Sequence, residues 1–453
     1  MISNSRYKNI LSRIKCKMYY IYALLFLPPF LMLTYLLIFT TVNVPYLEDT
    51  RVILGHLIDH TNSGFLRFFD FNNEHCLLTT RIAADFIYAI SGDINFKTLC
   101  IFGALFLTSW TSLLILKFLK CNSGMLIGAA FAYMSFSFIH FENLCWAVGS
   151  LSNYQSLFWS LCANMLLMKY EHPLFFAGTI FAALFASGST SCGLAIWPCL
   201  ILQLVYLRFT GNALKSKHFL IRLTILSLFS ITTIILYLTA APMPSLTQKT
   251  PLSLCLLPKI TLGGFTFLGA YIPYMPLAKL TGAIILALII IVIIRWRKIK
   301  SIDIFFHLIF LLGIAAGASV NRTEDIINSF TSRYAIFPIG ITFCTLWLLV
   351  ETYISNTNER LLRNTSSIVL ILAILFAAAT LYIGVPQYQT RNEIMRKNIL
   401  LWPNDLTGIR CWDHEREEYN AILNECAKRG IYNPLSNLQE GESRPSHLTP
   451  WLK

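Results

Sequence analysis

The chain has 453 residues, 55% of them hydrophobic and 13% charged, and its mean hydropathy is +0.59. So little charge excludes a soluble single-core domain and leaves an all-α polytopic membrane protein as the expected fold class. The formal net charge of +13 does not call for a nucleic-acid partner, because the loops on one side of a multi-pass protein collect Lys and Arg.

The N-terminal stretch MISNSRYKNILSRIKCKMYY is basic, and the apolar run from Ile21 to Val42 contains no small-residue cleavage site. That predicts a retained first span over 21–41 rather than a cleaved leader. A long polar loop, 42–97, comes next. Hydropathy then predicts spans over 98–116, 123–140, 154–168, 173–187, 192–207, 223–240, 279–294, 303–319, 334–352 and 366–384, eleven in all with the first. The pair at 173–187 and 192–207 is short and separated only by SGSTSCG, so a tight hairpin or a re-entrant pair fits as well as two full crossings.

Counting Lys and Arg in alternate loops gives eighteen on the side of the N-terminus and four, Lys249, Lys259, Arg322 and Arg333, in the short loops opposite. This asymmetry places the N-terminus in the cytoplasm and, with an odd number of spans, the C-terminus outside. In a bacterium that is the periplasmic face of the inner membrane. The chain accordingly divides into a membrane domain, 1–384, and a periplasmic C-terminal segment, 385–453. In that segment RNEIMRKNIL and DHEREEYNAILNECAKRG have helical spacing and are expected to pack on the bundle face or on the first loop. The 12 cysteines lie mostly in apolar runs, where they act as small hydrophobes; only Cys411 and Cys426, in the polar tail, suggest a disulfide.

The first loop concentrates the polar chemistry. It carries Glu48, Asp49, Asp59, Asp70, Glu74, Asp85 and Asp93 with His56, His60 and His75, interleaved with VILGHLI and FLRFF, which predict short helices in the interface plane. Taken alone, Glu48 and Asp49 fit a capping role at a helix start. Their setting points further: Pro45 and Tyr46 precede them, DFNNEH supplies a second polar cluster, and both lie at the mouth of the bundle. His56 and His60 are four apart, but no HEXXH signature accompanies them, and no metal is expected. Nor is there a P-loop, a dinucleotide fingerprint or a cytoplasmic nucleotide-sugar domain, so no cofactor is expected and any sugar donor would be lipid-linked.

PYLED at 45–49, NNEH at 72–75 and an arginine-bearing loop ending in SRY at 332–334 resemble a bacterial group of polytopic proteins with the glycosyltransferase C fold. Within it the likeness is nearest to the serotype-converting O-antigen glucosyltransferases that use polyprenyl-phosphate glucose. The likeness covers the layout, the first loop and the 320–334 loop, and not the tail. It implies a GT-C-like bundle whose first periplasmic loop supplies an acidic general base. In the usual motif the pair is Asp-Glu; here the order is Glu-Asp, so matching on PY-x-acid assigns Glu48 and matching on the aspartate assigns Asp49, with Glu48 preferred.

A carboxylate in hydrogen-bond reach of a sugar hydroxyl can take its proton as the new glycosidic bond forms, and one carboxylate suffices for inversion. A phosphate leaving group needs fixed positive charge instead. The candidate cations are Arg322 and Arg333, whose planar forks suit phosphate, although snorkelling or pairing with Glu324 and Asp325 would also account for them. Lys259 is a secondary phosphate candidate, as is Lys249. Asn73, Glu74 and His75 are the expected substrate contacts of the NNEH cluster, and Tyr334 either stacks on a sugar or marks the aromatic belt. Trp146 and Tyr154 offer a sugar platform or interfacial anchors.

The expected activity is transfer of a hexose, glucose by resemblance, from a polyprenyl-phosphate donor to a lipid-linked O-antigen or related surface polysaccharide. A flippase and a donor synthase would be its working partners, and membrane lipids its surroundings. Two other classes compete. A transporter or flippase would place charge within its spans, and these are nearly charge-free; a polymerase or ligase would carry its large external loop late in the chain, and here the first loop is the large one.

Overall fold

The structure, a computed structural model, describes residues 25–59, 64–72, 75–119, 122–210, 216–240, 257–321, 332–354, 359–402 and 415–433. Among these it is nearly all helical and has no strand. The main helices are α1 (Leu25–Thr40), α2 (Leu78–Ser91), α3 (Phe96–Phe118), α4 (Asn122–Ser135), α5 (Ala147–Leu167), α6 (Pro173–Ser189), α7 (Ile196–Phe209), α8 (Ser216–Ala240), α9 (Leu257–Leu268), α10 (Met275–Ile294), α11 (Ile302–Asn321), α12 (Ile336–Ile354), α13 (Glu359–Leu401) and α14 (Arg416–Lys428). Local sequence sets several of their ends. Asn95 caps α3 by accepting the Thr98 N–H at 3.1 Å, Pro173 opens α6 where no amide proton is needed, and Gly92 stops α2 at φ 77°.

Eight helical segments among the described residues are long and apolar enough to cross a bilayer, and two shorter apolar helices, α1 and α6, accompany them. This is the architecture of a multi-pass membrane protein. Where their residues are described, the expected spans fall largely on helices. The helix α5 is the exception in character: it carries Ser150, Ser152, Asn153, Gln155, Ser156, Ser160 and Asn164, all buried. It lies centrally, against α3, α6 and α11, and its polar groups bond inward, Ser150 Oγ to Cys100 O and Asn164 Nδ2 to Ser160 O. A central helix can carry so many polar groups because protein, not lipid, surrounds it.

At 43 residues, α13 is about 65 Å long, roughly twice the hydrocarbon thickness of a bilayer. It continues unbroken past 385, where composition placed the end of the membrane domain. On this extension Tyr388, Arg391 and Asn392 share one face and grip the exit of α1: Tyr388 bonds to Thr41, Asn392 Nδ2 donates to Thr40 O at 3.0 Å, and Arg391 donates to the Tyr46 hydroxyl at 2.9 Å.

Two hydrophobic clusters result, one within the bundle and one outside it. The outer cluster joins the first loop to the C-terminal segment: Val52, Ile53, Leu54 and Leu57 pack with Met395, Trp402, Tyr419, Leu423 and Tyr432. Arg51 adds a two-pronged bond to Glu418 (2.8 and 2.6 Å) and a contact to Glu415 at 3.0 Å. The tail therefore docks on the first loop. This corrects the expectation that VILGHLI lies in the interface plane, since Val52 to Leu57 are almost wholly buried beneath α14 and face protein on every side. Cys426 is a buried free thiol; Cys411 lies outside the described residues.

Candidate active site

Where the two clusters meet, a cavity of about 430 Å³ opens between the first loop, α5, the α6–α7 connection, α11 and the turn Ser332–Tyr334. Its lining combines polar residues, Glu48, Asn72, His75, Thr190 and Arg333, with apolar ones, Leu77, Trp146, Phe267, Ile314 and Phe337, and with Gly313 and Gly317. Such a lining suits a ligand that is half polar and half lipid.

The structure separates Glu48 from Asp49. Leu47 adopts a left-handed backbone, φ 48°, a conformation that costs a β-carbon-bearing residue about 1 kcal/mol or more. The two carboxylates that follow have different surroundings. Asp49 is fully buried and accepts the N–H groups of Tyr46 (3.0 Å), Ala147 (3.3 Å) and Val148 (2.8 Å). It thus caps the start of α5 from a distant part of the chain. Burial pushes its carboxyl up to about 8, while the three N–H donors pull back toward the charged form. Glu48 is half-buried and lines the cavity, and its Oε2 has no hydrogen-bond partner. Burial raises its pKa above the usual carboxylate value, opposed by its own backbone bond and by the charge of Arg333; Glu415 raises it and Arg51 lowers it. A half-desolvated carboxylate with an open oxygen is what a general base requires.

Arg333 stands on a short 3₁₀ turn that is held at several points. Asn143 Nδ2 donates to Arg333 O at 2.8 Å, the Glu142 N–H donates to Ser332 Oγ at 3.0 Å, and Glu142 Oε2 accepts the Arg333 N–H at 3.3 Å. The guanidinium lies over the Trp146 ring at 5.4 Å, which fixes its plane, and its Nε has no partner. Glu142 Oε1 in turn accepts from Arg391 at 3.1 Å. A chain of contacts thus runs from Tyr46 through Arg391 and Glu142 to Arg333, tying the carboxylate loop to the arginine turn.

On the opposite wall, His75 Nδ1 accepts from Ser191 N at 3.2 Å and lies 2.9 Å from Ser191 Oγ. Accepting that N–H at Nδ1 puts the proton of a neutral imidazole on Nε2. Asn72 and Thr190, each 6% exposed, line the cavity beside it, and Asn72 Oδ1 and Thr190 Oγ1 lack partners, as does Trp146 Nε1.

Of the residues singled out from sequence, the cavity gathers Glu48, His75, Arg333 and Tyr334. Asp49 does not line it. Lys259 sits exposed on α9 away from the cavity lining. Asn73, Glu74 and Arg322 lie outside the described residues, as do Lys249, Glu324, Asp325 and His60. Trp146 lines the cavity, whereas Tyr154 is buried against His140 Nδ1 at 2.7 Å. His56 is paired with Asp85 at 3.1 Å, and no cluster of metal-ligating side chains occurs among the described residues. Asn72 belongs to the NNEH cluster but is not one of the expected substrate contacts, and sequence reasoning does not reach Thr190, Ser191 or Arg391. The available signal is SGSTSCG, a run of small polar residues between two apolar helices, whose spacing fits a tight hairpin or a re-entrant pair. No family model and no curated protein matches this chain in sequence comparison.

Proposed function

We propose that the protein is an inverting glycosyltransferase that moves a hexose, glucose by the resemblance of PYLED, NNEH and SRY, from polyprenyl phosphate to a lipid-linked O-antigen or related surface polysaccharide. The observation that carries the reading is a carboxylate oxygen left open on Glu48 in the same amphipathic cavity as Arg333. Glu48 takes the proton of the acceptor hydroxyl as that oxygen bonds to the anomeric carbon. The bond from that carbon to the phosphate oxygen breaks on the opposite face, and Arg333 stabilises the charge gathering on the departing phosphate. The apolar lining, Phe267, Ile314 and Phe337, receives the first part of the lipid tail.

The proposal includes eleven crossings in a bacterial inner membrane, with the N-terminus cytoplasmic and the site on the periplasmic face. There a flippase and a donor synthase supply the substrate. Membranes containing Glu48→Gln at wild-type levels, given radiolabelled polyprenyl-phosphate glucose and the lipid-linked acceptor, should transfer label about 10²- to 10⁴-fold more slowly than wild type. Wild-type rates in that variant would overturn the assignment.

A further inference from the structure

The cavity holds more polar recognition than a base and a phosphate anchor need. Asn72 Oδ1 and Thr190 Oγ1 belong to side chains more than nine-tenths buried, line the cavity, and have no hydrogen-bond partner. Leaving such groups unsatisfied costs roughly 1–3 kcal/mol each, so groups of this kind that line a cavity are completed by what fills it, a ligand or ordered water. Neither can serve as a base or a phosphate cation: one is an amide oxygen, the other a neutral hydroxyl. Together they offer an acceptor and a combined donor and acceptor, the complement of a ring of hydroxyl groups rather than of an anion.

Their placement agrees with that chemistry. Asn72 is held by a two-way backbone bridge, its N–H to His75 O at 2.9 Å and the His75 N–H to its own O at 3.0 Å. Thr190 precedes Ser191, whose N–H and hydroxyl fasten the His75 ring. The first loop and the α6–α7 connection are thereby locked together beneath the two open groups. The indole N–H of Trp146, also without a partner, supplies a further donor on the α5 side of the same cavity.

We propose that Asn72 and Thr190 form a hexose-reading wall, binding the hydroxyls of the donor sugar while Arg333 holds its phosphate. This rests on the function proposed above and names the side chains that recognise the sugar rather than the lipid.

The test measures equilibrium binding of two probes, polyprenyl phosphate and polyprenyl-phosphate glucose, to the full-length protein in lipid nanodiscs, together with its thermal midpoint without ligand. Thr190→Val replaces the hydroxyl by a methyl of equal size. It should bind the sugar-bearing lipid about threefold to tenfold more weakly, the value of one hydrogen bond, and polyprenyl phosphate as wild type does. Its unliganded midpoint should stay level or rise, because an unsatisfied group has gone. Asn72→Leu should show the same selective loss. Equal weakening toward both lipids, unchanged affinity for the sugar-bearing one, or a fall in the unliganded midpoint of Thr190→Val would each overturn the wall. Wild-type protein that binds neither lipid would instead overturn the transferase reading, and the wall with it.

Discussion

The two adjacent carboxylates of PYLED have opposite surroundings. Asp49 spends both oxygens on three backbone N–H groups, two of them 98 and 99 residues further along the chain, whereas Glu48 keeps one oxygen open. Asp49→Asn should therefore act on folding: whichever way the amide turns, its NH₂ meets at least one of those N–H groups. Its thermal midpoint should fall by the equivalent of about 1–3 kcal/mol, a loss that Glu48→Gln should not show. Glu48 also predicts a pH profile. Burial raises its pKa, and a base works only when ionised, so the acid limb of transfer should lie above the ordinary carboxylate value and activity should fall as pH drops through it. Glu415 raises this pKa and Arg333 lowers it. Glu415→Gln should thus move the limb to lower pH, and Arg333→Gln should move whatever activity survives to higher pH. The pair was legible in sequence from its setting behind Pro45 and Tyr46. The division of roles was not, because it depends on amides that only the folded chain brings near.

Among the elements, α13 shows how far hydropathy reaches and where it stops. The apolar half announces a span, but the change of composition at 385 looks like the end of a helix, whereas the helix runs on to Leu401. What holds the extension is contact, through Tyr388, Arg391 and Asn392 on one face, and an isolated stretch of sequence carries no sign of its partners. Arg391 matters most for the site because it bonds both to Tyr46 and to Glu142, the latter anchoring the turn of Arg333. Arg391→Lys keeps the charge and loses the planar fork stacked over Tyr46 at 5.1 Å and Phe141 at 5.4 Å. Transfer should slow about tenfold, the worth of one hydrogen bond to a charged group, with little change in the donor KM. Tyr46→Phe should have a smaller effect, and the double variant should lose less than the sum of both. Strict additivity would mean that the contact does not position the site.

At the scale of the whole molecule, the cavity lies on the seam between two hydrophobic clusters, and both sides line it with polar and apolar residues. The first loop brings Glu48, Asn72, His75 and Leu77 to it; the bundle and its connections bring Thr190 and Arg333 as well as Phe267, Ile314 and Phe337. Membrane character and the importance of the first loop were visible in composition, but a seam is visible only once both sides exist. It makes the two halves of a ligand separable by mutation. Gly317 lines the cavity, and a Cβ there would meet no atom within 4 Å among the described residues, so the first carbon of a larger side chain displaces no neighbour. Leucine is also the better helix former, by about 1 kcal/mol, so Gly317→Leu should leave the thermal midpoint level or raise it. If the apolar lining holds a lipid tail, transfer from a long-chain polyprenyl-phosphate donor should show a raised KM, while a short-chain lipid phosphate bearing the same sugar loses less. Equal loss with both donors would place the tail elsewhere, and a comparison of the two KM values in one membrane preparation decides between them.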